Sequence, residues 1–163
     1  MKLGFLYAGQ GSQHAGMGAD LYEAFSAFRA VYDHAEVDFD LKKVTFEDPD
    51  GIINQTRYTQ PCMVAFAAGL TAVLREQGIA PDLVAGLSLG EYSALAAAGV
   101  LEEQTAISLA AFRGKAMEEA AAGRDSAMVA VLGLDRERLL EAVREAEPLG
   151  AVVIANYNCP GRS

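Results

Sequence analysis

The sequence predicts an α/β protein built on a largely parallel sheet. Three observations carry this expectation. Short apolar runs of strand length recur at residues 3–8, 82–87, 127–132 and 151–155. Between them lie longer stretches whose apolar residues repeat at helical spacing. Glycine-containing turns close most of these stretches, as strand-to-helix switches require.

Taken in order, Leu-Gly-Phe-Leu-Tyr-Ala at 3–8 reads as a buried strand ended by Gly9-Gln-Gly-Ser-Gln13. Leu21, Phe25, Phe28 and Tyr32 then form one apolar helix face. Residues 36–58 are polar and irregular, with a turn at Pro49-Asp-Gly51. A helix is expected to start at Thr59-Gln-Pro61, because a proline near the first turn gives up only an N–H that has no partner there. Met63, Phe66, Leu70 and Val73 supply its apolar stripe, and Gly78 with Pro81 stops it. The strand at 82–87 leads into a helix over 91–98 closed by Gly99, and a longer helix over 102–122 is closed by Gly123. Beyond it, a strand at 127–132, a helix capped by Asp135 and carrying Leu139, Leu140 and Val143, and a strand at 151–155 read as a separate β-α-β unit. The expected division is therefore 1–123 and 124–163.

Composition bounds the function. The 163 residues are 52% hydrophobic and 21% charged, which is globular and not disordered composition. The formal net charge is −9 and there is no basic stripe, so neither nucleic acid nor an anionic membrane is an expected partner. Two cysteines, Cys62 and Cys159, are too few for a disulfide framework, and two histidines, His14 and His34, rule out a multi-histidine metal site. No uninterrupted apolar run reaches the ~18 residues of a membrane span, Met63 to Leu74 falling short, and the N-terminal apolar stretch is too short for a signal peptide. A cytoplasmic protein with no metal is the default expectation.

Gly86-Leu-Ser-Leu-Gly90 matches G-x-S-x-G between an expected strand and an expected helix. In that context the two glycines let backbone segments pass closely while Ser88 is pushed outward, near N–H groups able to bind an oxyanion. The competing reading is a structural serine at a helix N-terminus. Gln10 lies just beyond a parallel strand's C-terminal end, where such folds place ligands; a tight polar turn explains it equally well. Arg113 stands beside Gly114 in a mostly apolar helix. Its planar fork suits a carboxylate, though most helix arginines are surface residues. His14 and His34 read as surface histidines, so the residues themselves offer no persuasive base for Ser88.

These segments together resemble the malonyl-CoA:acyl-carrier-protein transacylases of type II fatty-acid synthesis and, more broadly, the acyltransferase domains of polyketide synthases. The resemblance rests on Gly9-Gln-Gly-Ser-Gln13 with Gly16-Met-Gly18, on Asn54-Gln-Thr-Arg-Tyr-Thr-Gln-Pro61, and on Gly86-Leu-Ser-Leu-Gly-Glu-Tyr-Ser-Ala-Leu95. It extends to Arg113-Gly-Lys-Ala-Met117 and Asn156-Tyr-Asn-Cys-Pro-Gly161. It covers the whole chain but only about the first half of the family's length.

The resemblance implies that Ser88 is the nucleophile, that Gln10 and the N–H of Leu89 form the oxyanion hole, and that Arg113 pairs with the malonyl carboxylate. Gln60 and Met117 would lie near the pocket. The implied partners are malonyl-CoA and acyl carrier protein, with no bound cofactor. The implied fold is part of an α/β-hydrolase-like core over 1–123, followed over 124–163 by the first β-α-β of an inserted ferredoxin-like subdomain. Two positions depart from the family pattern: Leu87 stands where histidine is frequent, and Ala8 where proline is common. The family's histidine base would fall downstream of Ser163. The ending at Arg162-Ser163, just after a turn, reads as a truncation, so a catalytically incomplete piece needing a missing C-terminal half is one alternative. A serine hydrolase sharing the elbow is the other.

Overall fold

The computed structural model describes residues 2–123, 125 and 127–158. It is a mixed α/β structure dividing into two compact units, Met1–Ala122 and Gly123–Ser163.

In the first unit, strand β1 (Gly4–Tyr7) pairs in parallel with β2 (Leu83–Gly86), in the register Gly4↔Leu83 to Tyr7↔Gly86. Parallel neighbours need a long crossover. Here it is helical: α1 (Ala19–Ala24), α2 (Ser26–Asp33), α3 (Leu41–Phe46) and α4 (Thr56–Glu76). After β2 come α5 (Gly90–Ala97) and α6 (Glu103–Ala121).

The long helix α4 is the hub, packing against α2, α3, α5 and α6. That is why its buried residues are not confined to the stripe expected from sequence. Val73 is buried, but so are Cys62, Val64, Ala65 and Ala68 on other faces, whereas Met63, Phe66 and Leu70 are half-buried. Close packing on α2 depends on Gly69, because a Cβ there would lie 2.7 Å from the Phe28 ring. Phe28 in turn stacks on Tyr32 with ring centroids 5.2 Å apart. Burial pushes the Cys62 thiol up to about 12, so it stays protonated and inert at neutral pH.

Three expectations are corrected. The single helix over Leu21–Tyr32 is two, because Phe25 adopts an extended conformation (φ −124°, ψ 121°) between α1 and α2. Helix α4 begins at Thr56, not Thr59, which places Pro61 inside it. The polar stretch 36–58 is not wholly irregular, since Asp40 caps α3 by accepting from the Lys43 N–H at 3.0 Å.

The two strands alternate in exposure. Phe5, Tyr7 and Val84 face the helices, and the Tyr7 hydroxyl shares a 2.8 Å hydrogen bond with Thr71 of α4. The opposite face carries Leu6 at 82% and Leu83 at 55% exposure, an apolar surface without a second layer among the described residues.

The second unit holds α7 (Arg136–Ala146) and a 3-10 turn, Glu147–Leu149. Asp135 caps α7 as expected, accepting from the Arg138 N–H at 2.9 Å. The expected strands at 127–132 and 151–155 do not form. Extended segments need ladder partners to satisfy their backbone, and among the described residues of this unit the pairing is an isolated bridge at Leu132, too short for a strand. Met128, Val129 and Val153 are correspondingly exposed. Of the Asn156–Gly161 segment, Cys159-Pro-Gly161 lies outside the described residues, as do Arg162 and Ser163.

No helix among the described residues is long and apolar enough to cross a membrane.

Candidate active site

A strand that must turn directly into a helix has no room for side chains where the two backbones cross. At the end of β2 this is met by glycines. A Cβ on Gly86 would run into the Gly90 carbonyl, and a Cβ on Gly90 into the Tyr7 carbonyl of β1. Between them Ser88 sits at φ +51°, in the left-handed region that costs an L-residue about 1–2 kcal/mol. Flanking hydrogen bonds hold this geometry: Leu87 N–H to Tyr7 C=O at 3.1 Å, Gly90 N–H to Leu87 C=O at 2.9 Å, and Glu91 N–H to Ser88 C=O at 3.1 Å. The Leu89 side chain is buried and anchors the turn, while Ser88 is exposed. This is the strained, outward-facing serine that the motif predicts.

The backbone N–H groups of Leu89, next in sequence, and of Gln10, in the loop after β1, donate to no acceptor among the described residues. Gln10 lies just past β1, adjacent to the elbow because β1 and β2 are paired in parallel. Its loop packs closely there, since a Cβ on Gly9 would come within 2.9 Å of the Leu87 carbonyl oxygen. The Gln10 side chain points elsewhere, donating through Nε2 to Thr56 Oγ1 at 3.2 Å.

Arg113 reaches the serine from α6. Its Nη2 donates to Ser88 Oγ at 3.1 Å. Gly114 makes that approach possible, because its Cα lies so close to α4 that an added Cβ would stand 2.8 Å from the Thr56 carbonyl oxygen. One turn along α6 from Arg113, the half-exposed Met117 accepts through Sδ from Nε2 of the fully buried Gln60 at 3.4 Å. Gln60 Oε1 is buried without a partner among the described residues.

The structure thus places Ser88 against Arg113, and Gln60 against Met117. Gln10 joins the start of α4. Neither histidine is hydrogen-bonded to Ser88. The exposed His34 instead lines an open groove of ≈ 470 Å³ with Glu36, Gln104 and Ser108, a groove that no candidate residue touches. That groove contains none of Ser88, Gln10, Arg113, Gln60 or Met117. Among the described residues no cluster of histidine, cysteine or carboxylate side chains could hold a metal. Sequence reasoning missed Asn54, Thr56 and Gln13 as contributors. Their polar character was visible, but their contact across more than forty residues was not.

Comparison with known proteins places the chain in a family. Residues 4–162 match the family described as "Acyl transferase domain". The malonyl CoA-acyl carrier protein transacylase of Bacillus subtilis (strain 168) is 39% identical over 164 residues, covering 99% of this chain and 52% of the relative. The crystal structure of a malonyl CoA-acyl carrier protein transacylase from Clostridium perfringens superposes with a TM-score of 0.90 at 38% identity, over 99% of this chain and 52% of the other. A type II polyketide acyl-carrier protein in complex with its malonyl-transacylase also matches, with TM-score 0.89, 38% identity, and coverage of 99% of this chain and 53% of that one. The chain spans about half the length of the relatives it matches.

Proposed function

Because this chain belongs to the acyl transferase domain family, we propose that it carries the nucleophile and carboxylate-binding half of a malonyl-transfer site. The reaction moves a malonyl group from malonyl-CoA to the phosphopantetheine thiol of acyl carrier protein, as in fatty-acid biosynthesis. Ser88 Oγ attacks the thioester carbonyl. The Oγ–C bond forms, the C–S bond breaks, and CoA departs as the thiol with the proton taken from Oγ. The carrier thiol then attacks the malonyl ester and returns a proton to Ser88. The N–H groups of Leu89 and Gln10 face the oxyanion of both tetrahedral intermediates.

The observation that carries this reading is the Arg113–Ser88 hydrogen bond of 3.1 Å. An acyl group on Ser88 would have its far end beside a guanidinium, which matches the free carboxylate of malonate and no feature of a neutral acyl chain. This favours malonyl transfer over a general serine hydrolase sharing the same elbow. Gln60 and Met117 line the same side of α6 and set the shape of the pocket near the carboxylate. No bound cofactor enters the cycle.

In the same reading, 1–123 is the first part of an α/β-hydrolase-like core, and 124–163 opens an inserted ferredoxin-like subdomain whose strands pair only with further strands. The apolar sheet face of Leu6, Ala8, Leu83 and Leu87 supports a requirement for a complementary C-terminal half, which would also supply the histidine base.

The test is the intact mass of the chain after brief incubation with malonyl-CoA or acetyl-CoA, alone and with the C-terminal half of a relative. A malonyl adduct absent from Ser88→Ala supports the proposal. Equal labelling by both donors overturns the carboxylate clamp, and no adduct under either condition overturns the transfer reading.

A further inference from the structure

The Gln10 loop has little apolar packing to hold it. From Gly9 to Gly16 no residue is buried, and Gly11 sits at φ +118°. A loop that is to present an N–H to an oxyanion must nonetheless be rigid, because a donor displaced by an ångström loses most of its effect.

What holds it is polar and comes from the start of α4. Gln13 is placed as a strut with both ends engaged. Its Oε1 accepts from the Gly11 N–H at 2.8 Å, and its Nε2 donates to Asn54 Oδ1 at 2.9 Å. The first bond fixes the peptide plane joining Gln10 to Gly11, and the second fastens that plane to the residues entering α4. The 3.2 Å bond from Gln10 Nε2 to Thr56 Oγ1 adds a second fastening one residue away. The side-chain amide of Gln10 is thereby engaged, which leaves its main-chain N–H as the group free to act at the elbow.

We infer that Gln13 and Asn54 are positioning residues for the oxyanion hole, acting as one strut that sets the Gln10 main-chain N–H beside Ser88. The inference rests on the acyl-transfer reading above. It adds a role for the Asn54–Thr56 segment, which is hydrogen-bonded to neither Ser88 nor Arg113 among the described residues.

Two measurements test it on the same preparations of the chain, supplied with a relative's C-terminal half where acylation requires it. The first is amide hydrogen exchange at Gly11 by NMR. In Gln13→Ala the Gly11 amide should exchange about five-fold faster, the equivalent of one net hydrogen bond. Gln13→Glu keeps an acceptor for Gly11 and should retain the protection, and Val64 in α4 should not change in either variant. Unchanged Gly11 exchange in Gln13→Ala overturns the strut.

The second measurement is the single-turnover rate of Ser88 malonylation. Gln13→Ala and Asn54→Ala should each slow it about ten-fold at saturating malonyl-CoA, short of the 10²–10³-fold of deleting an oxyanion donor. Half-saturation should be unchanged, and the double variant should be no slower than Gln13→Ala, because one strut can be removed only once. A defect confined to half-saturation, or effects that multiply, overturns the positioning role. A parent chain that takes up no malonyl under either condition overturns the acyl-transfer reading and the catalytic consequence with it. The strut itself is then judged by Gly11 alone.

Discussion

Gly114→Ala is the sharpest test of how Arg113 is aimed. The added Cβ would lie 2.8 Å from the Thr56 carbonyl oxygen and 2.9 Å from Arg57 Cα, where ordinary contact begins at 3.4 Å. Both atoms are backbone in the first turn of α4, so no side chain can swing aside. Restoring contact requires α6 and α4 to part by about 0.6 Å, the difference between 3.4 and 2.8 Å. Overpacking of this kind costs about 1–3 kcal/mol, and the better helix propensity of alanine returns about 1 kcal/mol. The expected net loss is about 1 kcal/mol, or roughly 2–4 °C in Tm for a chain of this size.

The functional consequence is larger than the thermodynamic one. Arg113 is the neighbouring residue, and its 3.1 Å bond to Ser88 Oγ has little margin. Lengthened by the same amount, to about 3.7 Å, it leaves hydrogen-bond range. Thermal unfolding by circular dichroism and parallel labelling with malonyl-CoA and acetyl-CoA read the two effects separately. The expected variant is folded, slightly less stable and markedly less selective for malonyl. A raised Tm together with undiminished malonyl preference would show that the helices slide freely, and would refute the argument that Gly114 sets the position of Arg113.

Other consequences are equally direct. Gly90→Ala drives a methyl group into the Tyr7 carbonyl, so it should destabilise the chain by about 2–3 kcal/mol in urea unfolding and abolish Ser88 labelling. Asp135→Ala removes the cap on α7 and should cost that helix about 1 kcal/mol, read as loss of amide protection over Arg136–Leu139. Cys62 ionises at 9.0 in the reference state and is pushed up to about 12 by burial. Burial raises Tyr32 as well. Above pH 9 the unfolded chain therefore binds fewer protons than the native one, and stability should fall as pH rises toward 12, by about 1.4 kcal/mol per pH unit for the thiol alone. Stability at pH 7 and below should be insensitive to Cys62, and a flat stability profile between pH 9 and 11 would contradict its burial.

The elbow was legible because its chemistry is local. Gly86, Ser88 and Gly90 stand within five residues, between an apolar run of strand length and a helix closed by Gly99. The break at Phe25 was not legible. The helical spacing of Leu21, Phe25, Phe28 and Tyr32 continues across it, and only packing shows that one residue is extended. The start of α4 was misplaced for a related reason. A proline at the helix entrance is a sound local rule, but the hydroxyl bonds of Thr59 to the preceding turn and the packing of Tyr58 accompany a helix that begins three residues upstream. Thr59 Oγ1 bonds the carbonyls of Ile53 and Gln55, and Tyr58 packs edge-on against Phe39 at 4.9 Å. The strands expected at 127–132 and 151–155 show the opposite limit. Apolar runs report a preference for pairing, and pairing needs partners that the sequence of one unit does not guarantee. Arg113 was visible as an oddity beside Gly114, yet its meeting with Ser88 across 25 residues is a property of the fold alone.

The backbone at Ser88 has an implication for how this sequence could drift. A left-handed serine is a poor choice for stability, and glycine at that position would relieve about 1 kcal/mol without disturbing either neighbouring crossing. Every copy of the chain that keeps serine there does so against its own folding preference. A lineage freed from the need for a nucleophile would have an immediate incentive to lose it, since Ser88→Gly should raise Tm while erasing acylation. In the acyl-transfer reading proposed above, the Ser88 hydroxyl is kept in an unfavourable backbone conformation for the sake of its chemistry.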